Sequence, residues 1–156
     1  MKKNTKWMYL ACGMISAAGA AVFLWIILMV QETIPQDARL MQRAAGIYGY
    51  VIGAAVPCIG AAGLLSAVIR EIGRERAFTE RNVKFMRGIA GMAFLECVYI
   101  LAGVVGWTMV GLMHPGIILL ALTLMLLGGG IGILAWALAG LVRKASEIRQ
   151  ENELTV

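Results

Sequence analysis

Charge is what this sequence has least of. Only 15% of its 156 residues are Asp, Glu, Lys or Arg, where a soluble domain carries about a quarter, so a water-facing globular domain is excluded. Histidine occurs once and cysteine three times. With no CxxC spacing, neither a zinc site nor a disulfide scaffold has a basis. Proline is equally scarce, at three residues, and the apolar majority excludes disorder and collagen. Serine and cysteine triads, phosphate loops and paired carboxylates are absent too, so no catalytic residue, cofactor site or metal site is expected and the chain reads as non-enzymatic.

What the sequence has in abundance is apolar runs. Sixty per cent of the chain is hydrophobic and its mean hydropathy is +0.80. Four stretches, Met8 to Val30, Ile47 to Ile69, Gly88 to Val110 and Ile117 to Val142, exceed the roughly 20 residues a helix needs to cross the hydrocarbon core. Within them the only formal charge is Glu96. The expected fold is all-α: one membrane domain over residues 1–156, a bundle of four transmembrane helices. The first run begins like a signal peptide, after Lys2, Lys3 and Lys6, but continues through Phe23 to Leu28 with no polar cleavage region. An uncleaved anchor is the better reading.

Basic residues set the orientation, because short loops rich in Lys and Arg stay in the cytoplasm. The amino terminus, the segment 70–87 and the tail 143–156 hold twelve of the fourteen, and only Arg39 and Arg43 fall on the other side. Both termini and the central loop are therefore expected inside. Trp25, Tyr48, Tyr50 and Trp107 fall where an outer aromatic belt would lie, and Trp7 at the inner one. Since the basic residues flank spans and alternate with Glu71, Glu75 and Glu80, the +5 charge reads as a topology signal. No direct nucleic-acid binding is expected, and attraction to the lipid surface is a by-product.

The loops carry helix signals. Ile34, Pro35, Gln36 and Asp37 predict that the second helix starts outside the membrane, extended by Leu40, Met41 and Ala44 on one apolar side. Ile72 and Gly73 predict its end, with the glycine in a left-handed cap. Thr79 is the expected amino cap of the third helix, followed by Glu80, and Phe78 with Val83 has the spacing of a hydrophobic staple. The turn from Gly73 to Thr79 is thus expected to be short and ordered.

Inside the spans, Gly49 with Gly53, Gly60 with Gly63, Gly103 with Gly106, and Gly128, Gly129, Gly130 and Gly132 form small-residue strips for close helix packing. Packing within the chain can use them all; a homo-oligomer is the alternative. Pro57 is expected to kink the second span and free carbonyls near Gly53. Cys12, Cys58, Cys97 and the ten Met residues read as packing, and His114 as a solvated turn residue. Glu96 stands nine residues beyond Arg87, about 13 Å along a helix and so near the midplane. A charge there costs about 2.5–3.5 kcal/mol. The plain reading is a neutral acid hydrogen-bonded to a Tyr, a Ser or a freed carbonyl; the sharper one is a proton or cation site, with Tyr99 as its neighbour on the same helix face.

Two cytoplasmic patches, Ala77 to Asn82 with Arg87 and Ile89, and Glu151 to Val156, resemble a bacterial membrane family grouped as domain of unknown function 2975. Its order of four spans is similar, and it more often has Asp where this chain has Glu153. The resemblance implies a multi-pass protein of the bacterial cytoplasmic membrane, and a helix-turn-helix regulator as its cytoplasmic partner. Phe78, Thr79, Asn82, Glu151, Asn152, Leu154 and Val156 are the candidate partner surface. The fourth helix is expected to continue past Val142, with Ala145, Ile148 and Asn152 on one face. Folding back of Leu154 and Val156 onto the central loop is the alternative for the tail. Two functions stand open: a regulatory interaction protein, and a small transporter or channel component using Glu96.

Overall fold

A computed structural model describes residues 2–74 and 78–154. Four long helices dominate: α1 Lys2–Thr33, α3 Ala44–Gly73, α4 Glu80–Met109 and α5 Pro115–Leu154, with a short α2, Ala38–Gln42, and one 3₁₀ turn, Ile34–Gln36, between α1 and α3. No strand occurs among the described residues. Each long helix contains a stretch apolar enough to cross a bilayer, with mean hydropathies of 2.0 to 2.6. Their outward side chains, such as Leu126 at 79% exposure, need lipid as their solvent.

The second helix does not begin as one extension. Pro35 starts the 3₁₀ turn, and the Asp37 carboxylate then caps α2 by accepting the Arg39 N–H at 2.8 Å. The chain breaks at Arg43 (φ −113°, ψ 11°) before α3 starts. Neither Gly nor Pro stands at that break, which is why the sequence did not announce it. Pro57 sits inside α3 without ending it. At the far end Gly73 stays helical and Arg74 is the cap. The left-handed glycine is Gly111 instead, at φ 71° in the tight turn from α4 to α5.

The main packing interfaces join each helix to a neighbour in sequence: α1 to α3, α3 to α4, α4 to α5. Between α3 and α4 one antiparallel register runs the length of the contact. Tyr50 covers Gly103, Tyr99 covers Gly53, Met92 covers Gly60 and Leu64 covers Gly88; Arg81 then meets Glu71 at 3.7 Å. A bulky side chain of one helix sits in each gap left by a glycine of the other, the close approach that small residues permit in lipid. Between α4 and α5, Cys97 and Phe94 pack over Gly128 and Gly132, and the Cys97 thiol donates to the Met125 carbonyl at 3.4 Å. Only one glycine of each pair is used. Gly49, Gly63, Gly106, Gly129 and Gly130 face open space, so packing within the chain draws on every strip but not on every glycine.

Candidate functional site

Two regions hold the polar residues singled out by sequence. The first is the basic end of the bundle, where α3 finishes, α4 begins and the late part of α5 passes at the same level. Burial concentrates there: Val68 and Ile69 on α3, Val83 on α4 and Ala139 on α5 are enclosed, and with them the polar Glu71, Asn82 and Ser146. Thr79 stands at the amino cap of α4 in extended conformation, and its carbonyl accepts the N–H groups of Asn82 and Val83 at 3.0 and 3.3 Å. The Ser146 hydroxyl donates to the Arg143 carbonyl at 2.8 Å, and Arg143 pairs with Glu147 at 2.9 Å.

The candidate partner residues divide accordingly. Phe78 is 51% exposed, Thr79 is half-buried and Glu151 is exposed. Asn82 is not on the surface: it is completely enclosed at 0% exposure, because the first turn of α4 points it into the joint. Arg81 offers the outward face instead, its guanidinium 5.7 Å from the Phe85 ring centre. Val83 is buried while Phe78 remains half out. Helix α5 continues through Asn152 to Leu154, so the backbone does not turn back onto the central loop among the described residues. The side chains of Asn152 and Leu154, and Val156 entirely, lie outside the described residues, as do Glu75, Arg76 and Ala77.

The second region surrounds Glu96. A partly enclosed cavity of about 460 Å³ lies between α1 and α5, with α3 and α4 behind it. It reaches from the level of Phe23, Ala54, Glu96 and Leu124 to the segments at 34–40 and 112–113, the end opposite the basic joint. The Glu96 Oε2 atom is buried and has no hydrogen-bond partner among the described residues. Tyr99 does not serve it. The Tyr99 hydroxyl donates to the Tyr50 carbonyl at 2.9 Å, and the Tyr50 hydroxyl reaches back to the Tyr99 and Ile100 carbonyls at 3.3 and 3.4 Å. Their rings stack at 4.8 Å, with Trp107 edge-on to Tyr50 at 6.4 Å.

This reciprocal clasp was missed by sequence, where Tyr50 and Trp107 read as belt residues. The signal that finds it is the spacing of the glycines: Gly53 and Gly103 each leave the gap that the other helix's tyrosine fills. Three further hydroxyls are satisfied within their own helices, Ser66 on Ala62, Thr108 on Val104 and Thr123 on Leu119. Cys12 lies near Ser66 at 3.9 Å, and all three cysteines are free. Among the described residues no three His, Cys, Asp or Glu side chains converge to hold a metal.

The family model described as protein of unknown function (DUF2975) matches residues 39–156. No curated protein and no solved structure matches the chain.

Proposed function

The chain belongs to the DUF2975 family, and from that premise we propose that it is a non-enzymatic, multi-pass protein of the bacterial cytoplasmic membrane that works through its basic end. That end presents the 70–87 segment and the end of α5 to a cytoplasmic protein, with a helix-turn-helix regulator as the expected partner. One observation carries the reading. The enclosed polar residues Glu71, Asn82 and Ser146 mark a tightly packed joint, yet Phe78 stands half-exposed beside it. An apolar ring held out by a rigid base is the kind of anchor that docking surfaces use. The test is crosslinked copurification from membranes in mild detergent, comparing the native chain with Phe78→Ala. A captured regulator whose recovery falls with the substitution supports the proposal; equal recovery counts against it.

A second reading, a small transporter or channel component, is favoured by Glu96, which lines a cavity and holds one buried oxygen with no hydrogen-bond partner among the described residues. Proton flux in liposomes that disappears in Glu96→Gln is its expected signature.

A further inference from the structure

The cavity between α1 and α5 has a lining that specifies its occupant. Its volume of about 460 Å³ falls in the range of small-molecule sites, about 300–1,000 Å³. No Lys, Arg or His lines it, and Glu96 is the one ionisable carboxyl that does. The two hydroxyls of the lining are already committed: Thr33 donates to the Met29 carbonyl at 2.7 Å, and Tyr50 donates to the carbonyls of α4. Glu96 therefore brings a single carboxyl to a largely apolar chamber, and its buried Oε2 atom has no hydrogen-bond partner among the described residues. Phe23, Trp25 and Trp107 add aromatic surface to the same walls.

An acyl chain would fill the space and leave that oxygen unsatisfied, at the cost of an unpaired polar group in hydrocarbon. An anionic ligand would find no Lys, Arg or His in the lining to neutralise it. A cation bearing an N–H answers the carboxyl and the walls together: it donates to the Glu96 carboxylate, neutralises it, and its apolar body covers aromatic walls that themselves attract cations. We propose that this cavity binds a lipophilic amine, held as its ammonium by Glu96. The proton balance is simple. A free amine takes the proton from the neutral Glu96 acid, or an ammonium arriving from water displaces that proton to water; either way one ammonium–carboxylate pair results. The assignment deepens the second reading above, but it concerns binding and not movement across the membrane.

Tritiated imipramine, a tricyclic tertiary amine, is the probe, with the full chain in phosphatidylcholine nanodiscs. Saturable binding of one probe per chain is expected, uncompeted by the neutral tricycle iminodibenzyl. Glu96→Gln, which keeps the size and removes the charge, should weaken binding about tenfold or more, the worth of one charge-assisted hydrogen bond. Ala54→Phe, which fills the cavity floor and keeps Glu96, should weaken it as well, so the assignment stays testable should either variant fail to fold. Equal binding by the native chain and Glu96→Gln, or uptake no different from empty nanodiscs, overturns it in favour of lipid as the occupant. Liposome assays separate the two readings. Glu96-dependent binding without imipramine transport upholds the site and removes the transporter; Glu96-dependent proton flux without imipramine binding does the reverse.

Discussion

Gly103 shows how narrow the tolerances are at the level of single atoms. A methyl group there would run into the Tyr50 ring, which cannot swing aside because Tyr99 stacks on one face and Trp107 abuts its edge. Gly103→Ala should therefore destabilise the chain by about 1–3 kcal/mol, the usual cost of overpacking. Gly106→Ala, three residues on in open space, should stay within about 0.5 kcal/mol of the native chain. Circular dichroism during titration from mild detergent into dodecyl sulfate reads both. The sequence marked the two glycines alike, as one small-residue strip. Spacing shows that a face is smooth, but which glycine meets a neighbour depends on helix rotation, and that is fixed by bulky partners on another segment. Glu96 was legible for the same reason in reverse, since a lone acid in lipid is conspicuous whatever its rotation. Its surroundings were not legible: Tyr99 is close in sequence, yet the Tyr50 carbonyl claims its hydroxyl.

Among the elements, the joint between the end of α3 and the start of α4 separates stability from recognition. Asn82 is wholly enclosed and Phe78 is half-exposed, four residues away. Asn82→Ala should cost about 1–3 kcal/mol, through lost packing and polar contact. Phe78→Ala should change stability by no more than about 0.5 kcal/mol, so a binding defect in that variant reports docking and not unfolding. The same dodecyl sulfate titration distinguishes them. The start of α4 was readable because Thr79 and Glu80 are strong amino-end signals. Asn82 was misplaced on the surface because asparagine is mostly exposed in proteins, whereas here it is wholly enclosed on a helix that packs against both α3 and α5. The break at Arg43 had no sequence signal at all, whereas the end of α4 uses Gly111, one of several glycines equally suited to a left-handed turn.

At the scale of the whole molecule, four membrane-length helices predict that residues 1 and 156 lie on the same side of the bilayer. The basic residues at 2–6, 70–87 and 143–149 predict that this side is the cytoplasm. Reporter fusions at residues 1 and 156 and an insertion near residue 76 should all report the cytoplasm, and an insertion at Leu112 the opposite face. A discordant fusion would invert the placement of the joint and the cavity. Four spans were legible throughout, because lipid imposes an apolar helix of minimum length on any crossing segment. The cavity was not, since it arises where α1 and α5 stand apart and no local pattern records a separation.

Helix α5 has one further mechanical consequence. Its 40 residues span about 60 Å at 1.5 Å per residue, twice the roughly 30 Å thickness of the hydrocarbon core. Leu120, Ala121 and Leu124 near one end form a wall of the cavity, and the other end carries the basic tail. A rod of that length pivoting by about 10° sweeps its tip through about 10 Å. A small wedge at the near end is therefore geared up into a displacement the width of a helix at the far one.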